Sequence, residues 1–168
     1  MDSRPPSPVL VLGLGNPLLR DDGVGLAILE SLRRQPGEEG SGAEFLDGGT
    51  QGLNLLACLE GRRTLILLDA LQLGKEPGAV SVLDARQVAE IGAPRAATAH
   101  EGNAGELLAA AALLGELPEQ VFLVGIEPQK LTAGVGLSPL VEAAVPEAAA
   151  RARELITGAA RGLGSLHV

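Results

Sequence analysis

The sequence predicts an α/β fold: a three-layer α/β/α sandwich built on a mainly parallel central sheet of about five strands. Three observations lead there. Short, continuous apolar runs recur along the chain. Segments with helical spacing of apolar residues separate them. Polar or charged residues follow several of these runs directly, as at the carboxyl ends of buried parallel strands.

The first run, Val9 to Leu14, reads as a strand buried on both faces. Val24, Ala27, Ile28 and Leu32 then recur at i, i+3, i+4 and i+8, which predicts an amphipathic helix over 23–34. A second strand ends in Phe45-Leu46-Asp47 before the turn Gly48-Gly49-Thr50, and 53–60 reads as a helix. Leu65 to Leu68 is the clearest buried strand, closed by Asp69. Val80 to Leu83 and Val121 to Val124 supply the fourth and fifth strands, with an Ala/Leu-rich helix over 103–114. Ser138 and Pro139 open the last helix as N-cap and first helical residue. Its apolar stripe runs from Leu140 and Val141 to Leu155 and Ile156. Pro146 predicts a kink or fresh start, and Gly158 a stop.

The domain organisation follows: a disordered leader over 1–8, one domain over 9–158 and a tail over 159–168. A chain of 168 residues suits a single core. With two Phe and no Tyr or Trp, that core is aliphatic, and platforms for base stacking are missing. The formal charge of -8 opposes a phosphate backbone, so nucleic acid is not expected as a partner. One cysteine, Cys58, excludes an internal disulfide and a multi-cysteine zinc site. Its apolar surroundings predict an inert thiol. No membrane span or signal peptide is recognised, and a cytoplasmic protein is expected.

Four places can carry chemistry. Gly13-Leu14-Gly15-Asn16 resembles the start of a dinucleotide fingerprint, but position 18 holds Leu and the helix opens with Asp21-Asp22. Carboxylates there compete with a phosphate for the helix amides. Nucleotide binding therefore stands as an alternative rather than the first reading. One of the acidic pair, Asp21, is expected to cap the helix, leaving Asp22 to face the cleft. Asp69 follows four apolar residues, where an unpaired charge is costly. His100 is one of two histidines; the other, His167, lies in the tail. Imidazole with two carboxylates suits a borderline divalent metal. A Gly-x-Ser-x-Gly elbow and a His-Glu-x-x-His helix are both absent, so serine-hydrolase and zincin chemistry are set aside.

These pieces, in order, resemble the hydrogenase maturation endopeptidases. The matching segments are VLVLGLGNPLLRDDGVG, FLDGGTQGLNLL, LILLDAL, AHEGNAGELL, VGIEP and GLSP. The resemblance runs from about Val9 to Ile156. It implies that Asp22, Asp69 and His100 form a nickel-engaging catalytic set, with Asp22 standing where the family often has Glu. It implies a substrate, the nickel-loaded precursor of a nickel-iron hydrogenase large subunit, which loses a C-terminal extension. The nickel would be held by the substrate, with other divalent metals possible in the isolated protein. Asn16 and the Gly48-Gly49-Thr50 turn are expected to contact the substrate, and a monomer fits a docking enzyme. A non-catalytic metallochaperone for the same precursor is the other alternative.

Overall fold

The computed structural model describes residues 5–35, 37, 42–91 and 104–164. Five strands, β1 (Val9–Leu14), β2 (Ala43–Gly49), β3 (Thr64–Ala70), β4 (Val80–Asp84) and β5 (Gln120–Ile126), form one sheet in the order β2-β1-β3-β5-β4. All neighbours are parallel except β4, which pairs antiparallel with β5 at the edge. The helices are α1 (Val24–Arg33), α2 (Ala85–Ile91), α3 (Ala104–Leu114) and α4 (Pro139–Gly164). Short 3-10 segments cover Arg20–Gly23 and Gly52–Leu59.

The strand pattern explains the three layers. Along β1, Val9 and Val11 face one side, while Leu10, Leu12 and Leu14 face the other. β3 divides likewise into Ile66, Leu68 and Ala70 against Leu65 and Leu67. The first set packs against α1 and α4, and the second against α2, α3 and the 52–59 segment. Both faces are covered, so the central strands are apolar at every position rather than alternating. Burying aliphatic side chains such as Ile28, Leu32 and Leu67 contributes roughly 2 kcal/mol each.

α1 approaches the sheet unusually closely. A Cβ built at Gly25 would sit 2.2 Å from the Leu68 carbonyl oxygen and 2.3 Å from that of Leu14. Glycine therefore lets the helix start rest on the carboxyl ends of β1 and β3, next to Asp22 and Asp69.

Several expectations are corrected. Ser7 and Pro8 belong to the fold rather than to a disordered leader: the Pro8 carbonyl accepts from Arg63 and Thr64, and the Ser7 hydroxyl donates to the Val9 carbonyl. The 53–60 helix is a 3-10 segment. α4 passes through Pro146 as one element and does not stop at Gly158, because Ala159 is still buried in the core. Its turns past 158 run on into the expected tail. Leu140, placed in the buried stripe, is 55% exposed. No helix among the described residues is long and apolar enough to cross a membrane.

Gly25→Ala is expected to destabilise the protein by about 3 kcal/mol or more, since both clashing atoms are backbone. Urea denaturation measures it; a midpoint like that of the parent would show that α1 can lift off the sheet at little cost.

Candidate active site

In a sheet ordered β2-β1-β3, the chain leaves β1 toward one side and β3 lies on the other. The loops after β1 and β3 therefore part at their carboxyl ends and leave a crevice between them. Asp22 comes from the first loop and Asp69 from the end of β3.

Asp22 is 1% exposed. Its Oδ2 accepts the backbone N–H of Asn16 at 2.8 Å. Asn16 also folds the loop, since its side-chain oxygen accepts from the Leu18 N–H and its carbonyl from the Leu19 N–H. Gly15 permits this turn: its φ is +124°, and a Cβ there would lie 1.9 Å from the Asp22 carbonyl oxygen.

Asp69 is 2% exposed and pairs with Gly125 in β5. Its Oδ1 accepts the Ala70 N–H at 2.8 Å. Burial drives its pKa well above the ordinary carboxylate range; the Ala70 hydrogen bond opposes the rise, and the charge of Asp22 adds to it. The two carboxylates are thus near enough to repel. A cation between them would offset both burial and repulsion, so the donor set fits a divalent metal with oxygen or nitrogen ligands.

Among the described residues no group of three or more His, Cys, Asp or Glu is arranged to hold a metal. His100, the third member of the expected set, lies outside those residues. Four positions further on, Ala104 begins α3 and is buried. α3 passes the chain to the amino end of β5 through 115–119, so its own start points toward the carboxyl end of the sheet.

Asp21 does something the sequence reading missed. It does not cap its own helix; no side-chain cap is present at either the 3-10 segment or α1. Its Oδ2 accepts from the Gln129 N–H at 2.9 Å, the Lys130 N–H at 2.7 Å and the Ser138 hydroxyl at 2.8 Å. Its Oδ1 accepts the Ser138 N–H at 2.6 Å. Burial alone would raise this carboxyl, but the hydrogen bonds from Ser138, Lys130 and Gln129 prevail and hold it below the ordinary range. The expected N-cap serine spends its hydroxyl on Asp21, while its carbonyl accepts the Glu142 N–H of α4. Sequence does contain Asp21 and the Gly-Leu-Ser-Pro segment; only their separation of 117 residues hides the pairing.

The 48–50 turn borders the same end of the sheet. Gly48 is buried, and a Cβ there would meet Leu12, Leu55 and Leu14 side chains at 2.9–3.1 Å. Its small size therefore serves packing. Gly49 has φ +48°, and its carbonyl accepts the Gly15 N–H, which joins this turn to the β1 loop. Thr50 is exposed. The glycines that suggested a nucleotide site thus have packing reasons. At Gly15 the space beside the backbone is filled by the Asp22 carbonyl.

The structure defines an α/β/α domain with two buried acids at the carboxyl end of its sheet, and comparison with known proteins supplies the family. The profile of the hydrogenase maturation protease family matches residues 26–154. The hydrogenase 2 maturation protease of Escherichia coli K12 is 35% identical over 144 residues, covering 83% of this chain and 85% of that protein. The hydrogenase expression/formation protein HupD of Rhizobium leguminosarum is 36% identical over 128 residues, and the chain spans 63% of its length. The solved structure of the hydrogenase maturating endopeptidase HybD from E. coli superposes with a TM-score of 0.74 at 31% identity, covering 90% of this chain and 93% of that one. The chain belongs to the hydrogenase maturation protease family, a family of hydrolases.

Asp21→Asn is expected to cost roughly 3 kcal/mol at neutral pH, because an amide nitrogen cannot accept the buried N–H groups. The folded pKa is depressed, so this stabilisation is present above the ordinary carboxylate value and lost as pH falls through the lowered one. Urea midpoints of parent and variant should converge in acid; a constant gap would show that the charge is not what matters.

Asp69→Asn should behave oppositely. It keeps the Oδ1 acceptor and removes a buried charge beside Asp22. Metal-free stability should rise or hold; a loss above about 1 kcal/mol would mean that the carboxylate is structural.

Proposed function

We propose that this chain is an endopeptidase that removes a C-terminal extension from the nickel-loaded precursor of a nickel-iron hydrogenase large subunit. The observation that carries the reading is the pair of buried carboxylates, Asp22 and Asp69, near enough at the switch point for the charge of one to act on the other. Protein interiors do not keep such a pair for stability.

Asp22, Asp69 and His100 are the residues that engage the nickel held by the substrate; in the isolated protein other divalent metals take the same ligands. A metal there supplies Lewis-acid polarisation of the scissile carbonyl or a bound water. The chain's own residues do the positioning. Asn16 fixes the Asp22 carboxylate through its N–H. The Gly48-Gly49-Thr50 turn, tied to the β1 loop through the Gly49 carbonyl, receives the extended substrate tail in this reading. The enzyme acts as a monomer in the cytoplasm, docking on its precursor one to one.

Asp22→Asn tests the reading. The variant is expected to fold normally and to lose processing on the order of 100-fold or more, read by mass spectrometry of the precursor. Full activity would remove Asp22 from the site. Calorimetric titration with nickel(II), beside His100→Ala, checks the ligand set: heat with the parent and none with the variant is the expected pair of results.

A further inference from the structure

We propose that Arg20 is a specificity residue that binds an acidic side chain in the segment cleaved from the precursor, one step along the chain from the Asp21–Asp22 pair. The inference rests on the endopeptidase reading and adds to it the chemistry of the substrate tail.

Arg20 has φ +50°, and it is the one non-glycine residue with positive φ among those described. That conformation costs a side-chain-bearing residue about 1–2 kcal/mol. It is held in place by a clasp between two loops. The Arg20 N–H donates to the Gly134 carbonyl at 3.1 Å, the Gly134 N–H to the Leu18 carbonyl at 2.9 Å, and the Asp21 N–H to the Lys130 carbonyl at 3.1 Å. Glycine at 134 lets the guanidinium lie against the backbone: a Cβ there would be 2.7–2.8 Å from Nε, Cζ and Nη2.

The guanidinium so placed is half-buried and makes no hydrogen bond or ion pair with any described residue. Arg33, Arg34, Arg62, Arg63, Arg86 and Arg151 each have such a partner. The nearest carboxylate in sequence, Asp21, is committed to the 129–138 loop. Leu18 and Val135, 64% and 79% exposed, flank the same clasp. A strained backbone thus presents a planar cation against the Gly134 backbone, with no partner among the described residues. Its natural ligand is a carboxylate, which the fork of a guanidinium binds through two parallel hydrogen bonds. A chain of net charge -8 otherwise repels acidic segments, so this cation also selects where such a segment settles.

The test measures cleavage kinetics with the native precursor and with one whose cleaved-segment Asp and Glu are replaced by Asn and Gln. Arg20→Gly is the main variant, because glycine accepts the positive φ without strain; Arg20→Lys keeps charge but not the fork. With the native precursor, Arg20→Gly should raise KM about tenfold while kcat changes less than about twofold. Arg20→Lys should recover part of that. The neutralised precursor should raise the parent's KM to a similar degree, and Arg20→Gly should then add nothing. An unchanged KM, effects that simply add, or a cleaved segment without any acidic side chain would overturn the proposal while leaving the endopeptidase reading intact. A parent enzyme that cuts neither precursor would overturn both.

Discussion

A single carboxylate organises the catalytic end of this protein. Asp21 is fully buried and accepts four hydrogen bonds from one loop and the residue preceding α4. Without them its burial would be strongly unfavourable; with them, its charge becomes the anchor for residues 129–138. The adjacent residue inherits the consequence. Because Asp21 is committed inward, the loop from Asn16 to Gly23 has one course, and Asp22 projects from it at a fixed place. Asp21 thus holds the 129–138 loop, while Asp22 accepts the Asn16 N–H within its own loop.

Asp69 works under a different constraint. Its carboxylate is placed by the sheet, in register with Gly125, and accepts the Ala70 N–H within the strand end. Tight apolar packing around it, including Gly25 pressed onto the Leu68 carbonyl, leaves little room for relaxation. The region is therefore closely packed around a carboxylate whose burial is unfavourable to its charged form.

Much of this was legible in the sequence because it rests on local or periodic signals. The continuous apolar runs at 9–14 and 65–68 announce strands covered on both faces, and a charge directly after such a run announces Asp69. Asp22 was separable from Asp21 only by the argument that two neighbours cannot cap one helix. Asp21 caps no helix start; its carboxylate reaches across the fold to the 129–138 loop instead. Gly158 misled because a local stop signal is weak against the burial of Ala159, the very next residue. The left-handed backbone of Arg20 has no sequence signature at all, because arginine rarely adopts it. His100 lies outside the described residues, so its place rests on the family resemblance alone.

The long reach between Asp21 and Ser138 also bears on how the molecule comes into being. Contacts separated by 117 residues form late, since the intervening chain must first be brought together. During synthesis, β1, α1 and β3 emerge well before the 129–138 segment that neutralises the Asp21 environment. Until α4 docks, the loop bearing Asp22 lacks its anchor, and the crevice is not yet shaped. The loops that meet at Asp21 are thus drawn from early and late parts of the chain, and a copy truncated before residue 129 lacks every one of those hydrogen bonds.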